Sequence, residues 1–352
     1  MAQAERPRFP GPFLFQQKEG HVEPTKRARK IAETYKTTTG EDLIVIDAST
    51  FQTQLGSLST TMINLLEREA AKVKPHPYLN DDLAMMLRQM RTTCDLLFYL
   101  NADEKIDGDP SYRQGYGFVF LPLIRSMIDG LYNITALLDD SLRAKQFRSI
   151  GYRNILDGLE EDKNRYGTDR RWINYCDQKI RALSIEWRQC GFTEDEIRQA
   201  KPWPTLGAYL RNKPTNTPHK LFLSQLTYGF WREYSALSHV TFEGLKAIFP
   251  FIGKDRIPRE ARDRIEDEGH RVLTMHIARA SGILLCTLTE LQVHYMFPES
   301  NIPNRLHIIW DALNQLPEVR ELYETRYKSL MLRNRILSGP EIPAEFRRYF
   351  KQ

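Results

Sequence analysis

Cysteine is scarce in this chain and scattered: Cys94, Cys176, Cys190 and Cys286 share no CxxC spacing. That excludes a legible zinc knuckle or disulfide framework and is the pattern of reduced thiols in a cytoplasmic protein. HExxH, a Walker loop and GxGxxG are all missing, and the "GYG" at 115–117 is too short to cradle a phosphate. No Ser–His–Asp or Cys–His arrangement can be read either. A strong excess of one charge is lacking: 50 Lys and Arg against 45 Asp and Glu leave a formal charge of +5. That permits a nucleic-acid partner without the dense basicity of an architectural binder. An uncharged apolar run is lacking as well, because the most apolar stretch, Gly117 to Leu138, carries Pro122, Arg125, Asp129 and Asn133. It reads as a buried core helix, not a membrane span. The opening "MAQAERPRFPGPFLFQQKEG" interrupts its apolar residues with prolines and charges, so no signal peptide is predicted.

What is present is helical periodicity. With 352 residues, 41% of them apolar, the chain can bury a sizeable core. Residues 1–48 read as an irregular arm containing the basic "PTKRARK" and one strand-like run, "EDLIVID". From Ser49 onward the apolar spacing predicts helices near 50–74, 80–101, 118–140, 143–164, 169–190, 193–200, 217–241, 259–296 and 303–330. The expected fold is all-α: an antiparallel helical bundle over 49–340, with a C-terminal tail at 341–352. The longest break, "KPWPTLGAYLRNKPTNTPH", lies between equally apolar helices and is read as an ordered insertion in one bundle.

The segment "FWREYSALSHVTFEG", residues 230–244, carries the chemistry. Leu223, Leu226, Phe230, Tyr234 and Leu237 recur every three or four residues and form one core-facing stripe. Tyr228, Arg232, Ser235 and His239 project from the opposite side, with Arg232 and His239 two turns apart. Two other windows place an Arg shortly before a His, Arg264 with His270 and Arg271 with His276. Helical geometry sets those pairs about 120° and about 140° apart, so neither shares a face.

"REYSALSH" resembles the Arg-x4–6-His motif of the HEPN superfamily, helical-bundle proteins of bacteria and archaea that are often RNases, toxins or antiphage effectors. Glu233 supplies the polar residue that is common after the Arg in that family. The resemblance implies a metal-independent endoribonuclease or defence effector in which Arg232 holds the scissile phosphate and His239 moves a proton. It also implies a dimer of two motif helices. The residue types suit the chemistry, since Arg is a permanent fork of donors and His titrates near neutrality. A looser resemblance, over residues 80–295, joins "LPLIRSMIDGLYNI" and "YSALSHVTFEG" to uncharacterised bacterial helical proteins and implies no activity.

Arg125, Asp129 and Asn133 form a polar stripe at four-residue spacing on the otherwise apolar 118–138 helix. It is read as a structural network or as lining the same cleft as Tyr234, Ser238 and His239, a second cationic contact for an anionic ligand, with Tyr228, Ser235, Arg125 and Asp129 as the substrate-binding residues. Glu266, Asp267, His270, Glu290 and His294 cluster on one helix, which does not match a four-helix dimetal site, so no metal and no cofactor are expected. In "DRRWINYCDQKIRALSIEWRQC" composition favours a half-buried helix with a basic solvated face over a nucleic-acid surface. The expectations are a cytoplasmic, non-membrane homodimer with RNA as its partner. The competing readings are a non-catalytic helical binding or scaffold protein and a small anionic-ligand sensor.

Overall fold

The computed structural model describes residues 49–101, 110–211, 223–224, 226, 230–238, 258–297, 301–314, 319–320 and 323–328. The described residues are helical, with no strand among them, so the fold is all-α. The arm with its strand-like run and the C-terminal tail lie outside them, as do Tyr228 and His239.

The described helices are α1 (Ser49–Arg68), α2 (Ala70–Val73), α3 (Leu79–Asn101), α4 (Pro110–Asp139), α5 (Arg143–Arg165), α6 (Arg170–Gln189), α7 (Glu194–Arg198), α8 (Leu206–Arg211), α9 (Arg232–Ser238), α10 (Arg259–Tyr295) and α11 (Ile302–Leu313). A π-helical turn follows at Tyr323–Tyr327. Helix α10 packs against α4, α3, α1 and α11, while α4 also carries α3, α5 and α9. One contiguous set of buried apolar side chains runs through these elements, from Leu55 to Tyr327.

From His276 to Gln292 helix α10 is buried on every face, as the central helix of a bundle must be. Its buried hydroxyls are satisfied within the helix: Ser281, Thr287 and Thr289 donate to the carbonyls of Ile277, Ile283 and Leu285 at 2.9, 3.0 and 2.7 Å. Glu290, fully buried, accepts from the Arg326 guanidinium and, at 2.8 Å, from the Tyr327 hydroxyl. These contacts bind the π-helical turn to the core.

Helix ends follow local chemistry. Asp169 caps α6 by accepting from the amides of Arg171 and Trp172, and Thr193 and Glu196 form a reciprocal capping box on α7. At the C-terminus of α6, Gly191 adopts φ +80°, and the amides of Gly191 and Phe192 donate to the carbonyls of Arg188 and Trp187. That Schellman turn needs the left-handed conformation glycine adopts without strain.

Several elements differ from the spacing-based expectation. The helix expected over 118–140 begins eight residues earlier, at Pro110. The helix expected over 303–330 ends at Leu313, where the Asn314 amide closes onto the Trp310 carbonyl. The sequence beyond reads "NQLPE", and a residue before proline is driven out of the α region. In the long break before 217, α8 forms unannounced and buries Leu206 and Tyr209. This insertion is fixed to α4 by three contacts. Tyr132 donates to the Pro204 carbonyl, Trp203 Nε1 donates to Asn133 Oδ1 at 2.9 Å, and Tyr209 donates to Asp139. Asn133 of the polar stripe is therefore a packing anchor.

Candidate functional site

Helix α9 is short, and tertiary contacts hold it in place. Leu223, Leu226, Phe230 and Tyr234 of the expected stripe are all buried. Glu233, next to Arg232, receives two hydrogen bonds from Arg279 Nη1 of α10, at 2.9 and 3.0 Å. The Arg279 guanidinium also lies 5.2 Å from the Phe230 ring centre and 5.9 Å from that of Tyr234, within cation–π range. Tyr234 Oη stands 2.7 Å from His276 Nδ1. Burial, then the nearby Arg279 cation, lower the His276 pKa from its usual 6.5 to about 4. The ring is neutral at pH 7, which leaves Nδ1 able to accept from the tyrosine hydroxyl. His276 is thus a buried packing residue, as its poor alignment with Arg271 implies.

With Glu233 and Tyr234 committed to α10, Arg232 points outward and is exposed, and Ser235 one turn on is half-buried. Arg232 makes no hydrogen bond or ion pair with another described residue. Immediately before it, Trp231 receives the guanidinium of Arg125, whose Cζ sits 4.6 Å from the indole centre. Arg125 is also paired with Asp129 one turn along α4. Its side chain is 20% exposed and that of Asp129 is 46% exposed, so the pair sits at the protein boundary. Trp231 Nε1 is buried and finds no hydrogen-bond partner among the described residues. The structure thus brings Arg125, Asp129, Trp231 and Arg232 into one region where α4 meets α9. Sequence spacing pointed to three of these residues. The fourth, Trp231, was hidden because its partner lies 106 positions upstream, from 231 to 125.

Asp129 also lines a cavity of about 260 Å³ between α3 and α4, with Ser126 and Asn133 on its own helix and Gln89, Thr93 and Met90 opposite. Gly130 makes the close approach there possible, since a Cβ at that position would stand 2.8 Å from Met90 Sδ. Among the described residues no group of three or more His, Cys, Asp or Glu is placed to hold a metal ion. Glu290 is already committed to Arg326 and Tyr327. Among the same residues no helix is long and apolar enough to cross a membrane. No protein-family model, curated protein or solved structure matches the chain.

Proposed function

We propose that the chain is a metal-independent endoribonuclease in which Arg232 binds the scissile phosphate and His239 moves the proton. The observation that carries the reading is the split between adjacent residues on α9: Glu233 and Tyr234 are locked onto α10, while Arg232, next to the Trp231 that Arg125 covers, stands exposed. A fixed helix offering an unengaged guanidinium suits a phosphate oxygen pair, which such a fork can bind bidentately. In the reaction His239 takes the proton of the RNA 2′-hydroxyl, the 2′-oxygen bonds to phosphorus, and the bond from phosphorus to the 5′-oxygen breaks. The 5′-oxygen leaves with a proton, and a 2′,3′-cyclic phosphate remains. In a two-fold dimer built on this face a second His239 stands ready to donate that proton.

The test is total RNA incubated with pure protein in EDTA, with end-group analysis of the products. Wild type should yield cyclic phosphate and 5′-hydroxyl ends, and Arg232→Ala and His239→Ala should each slow cleavage by about 10²-fold or more. Undiminished cleavage by His239→Ala removes the assignment. Sedimentation of a monomer at micromolar concentration removes the shared cleft.

A second reading, a small-ligand sensor, draws on the cavity lined by Asp129, whose carboxylate is paired with the Arg125 cation. It expects thermal stabilisation by a small anion that Arg125→Gln abolishes. A protein with neither cleavage nor ligand response is a helical binding protein.

A further inference from the structure

The end of the α5–α6 hairpin carries an aromatic array that is out of place on a solvated helix. Tyr166, Trp172 and Tyr175 are 48, 36 and 44% exposed. Trp172 and Tyr175 stack with ring centres 5.1 Å apart and planes at 25°, and Tyr166 meets Trp172 edge-on at 5.9 Å. Lys179 extends the row, its Nζ 5.4 Å from the Tyr175 ring centre. Residues 172, 175 and 179 are spaced three and four apart, so they form a strip along the flank of α6, beside the buried Cys176, Leu183 and Trp187. An ordinary solvated strip would hold Lys and Glu here, whereas three contiguous aromatic rings, each at least a third exposed, form a patch suited to a partner.

Charge identifies that partner. Between Arg165 and Arg181 the sequence has five cations against two carboxylates, Asp169 and Asp177, and of the five Arg165 is already paired with Glu161. Both carboxylates are occupied: Asp169 caps α6, and Asp177 is paired with Lys163 at 2.7 Å. Arg170 and Arg171 are exposed and form no ion pair with a described residue. They also occupy the first turn of α6, where the helix dipole disfavours cations, so local helix stability does not account for them. Stacked aromatic faces beside uncompensated guanidinium groups match the chemistry of an unpaired base followed by its phosphate. A duplex hides those faces inside its own stack.

We infer that Tyr166, Trp172 and Tyr175, with Arg170, Arg171 and Lys179, form a docking surface for single-stranded RNA. The choice of RNA over single-stranded DNA rests on the proposed ribonuclease function, whereas the surface itself needs no cleavage chemistry. Bases stack on the Trp172–Tyr175 row and the arginines neutralise the phosphates. The full chain thereby gains a means of holding substrate at a place separate from α9.

Binding and cleavage are separable by experiment. The full-length His239→Ala protein is titrated, in EDTA, into a fluorescein-labelled 15-nucleotide oligo(U), with oligo(dT) and a duplex RNA of equal length as further arms. The expected result is oligo(U) binding that weakens at least about 30-fold in Trp172→Ala/Tyr175→Ala, is kept by Trp172→Phe/Tyr175→Phe, and exceeds duplex binding. Arg170→Ala and Arg171→Ala should each reduce the slope of log affinity against log salt by about 0.7. The proposal is overturned by oligo(U) binding that the double alanine variant keeps, or by duplex binding as tight as oligo(U). Self-association lost with Trp172 would also overturn it, making the strip a contact between copies. Tighter binding of oligo(dT) overturns the RNA assignment. Loss of cleavage in His239→Ala with oligo(U) binding intact supports both proposals separately, while cleavage that persists removes the catalytic assignment alone.

Discussion

The Tyr234 hydroxyl lies 2.7 Å from Nδ1 of His276, and this one bond between α9 and α10 depends on an uncharged ring. The folded-state pKa of His276 is depressed from 6.5 to about 4, first by burial and then by Arg279. In the unfolded chain the ring takes up its proton near 6.5, so its contribution to stability is complete above that pH and is lost as the pH falls toward 4. The loss amounts to about 3 kcal/mol across the window. Urea unfolding at pH 7.5, 6, 5 and 4.5 should show it, and His276→Gln, which keeps a polar partner for Tyr234 but cannot titrate, should flatten this part of the profile. Equal pH profiles for wild type and variant would refute the coupling.

Neighbouring residues on α9 should behave in opposite ways. Arg232→Ala removes an exposed side chain and should change stability by no more than about 0.5 kcal/mol while abolishing RNA cleavage. Glu233→Ala removes the two hydrogen bonds that the Arg279 guanidinium, 8% exposed, donates to this carboxylate and should cost about 1–3 kcal/mol. Denaturant midpoints and cleavage rates measured on the same preparations distinguish the two.

Glu290 sits at 0% exposure against an Arg326 side chain at 9%, which makes this the most deeply buried ion pair among the described residues. Glu290→Ala should cost about 3–5 kcal/mol, because the buried arginine and the Tyr327 hydroxyl both lose the Glu290 carboxylate. The double change Glu290→Leu/Arg326→Met should recover part of that loss, since neither charge of the pair then remains to be desolvated while Tyr327 still lacks this acceptor. Thermal unfolding of the three proteins tests the argument, and a double variant as unstable as the single one would contradict it.

One substitution should behave differently at two glycines. At Gly130 a new Cβ meets Met90 Sδ and Cγ at 2.8 and 2.9 Å, so the Met90 side chain must swing aside and Gly130→Ala should gain less stability than the same change at an open helical site. At Gly158, on the exposed side of α5, nothing lies within 4 Å, and alanine should stabilise by about 0.4–1 kcal/mol through helix propensity. Chemical denaturation of the two variants is sufficient, and equal stabilisation at both would show that the close approach at Gly130 is not what constrains it.

The sequence by itself determined the helical class and several of its interior faces, because both are written in local spacing. Leu223, Leu226, Phe230 and Tyr234 recur with the helical period and are buried together. The apolar stretch around Arg125 and Asp129 is a helix through the core, with the two charges paired one turn apart as their spacing required. The helix expected over 169–190 ends where Gly191 makes its left-handed turn, an ending that is itself a local event.

Only the tertiary structure decided which polar residues were free to act. Arg232 and Glu233 are adjacent and equally polar, yet one is exposed and the other is held by Arg279, 46 residues later in the chain. Trp231 is chosen by Arg125 across α4, and Asn133 by Trp203 from an insertion that reads as a break. Composition made α6 a half-buried helix with a basic solvated face, and its buried Cys176, Leu183 and Trp187 bear that out. The stacking of Trp172 on Tyr175 in solvent depends on where the hairpin ends and how far the core reaches beneath it. Periodicity fixes the direction of a side chain about its own helix. What that side chain meets is set by chain segments tens of residues away, whose approach depends on the packing of the whole core.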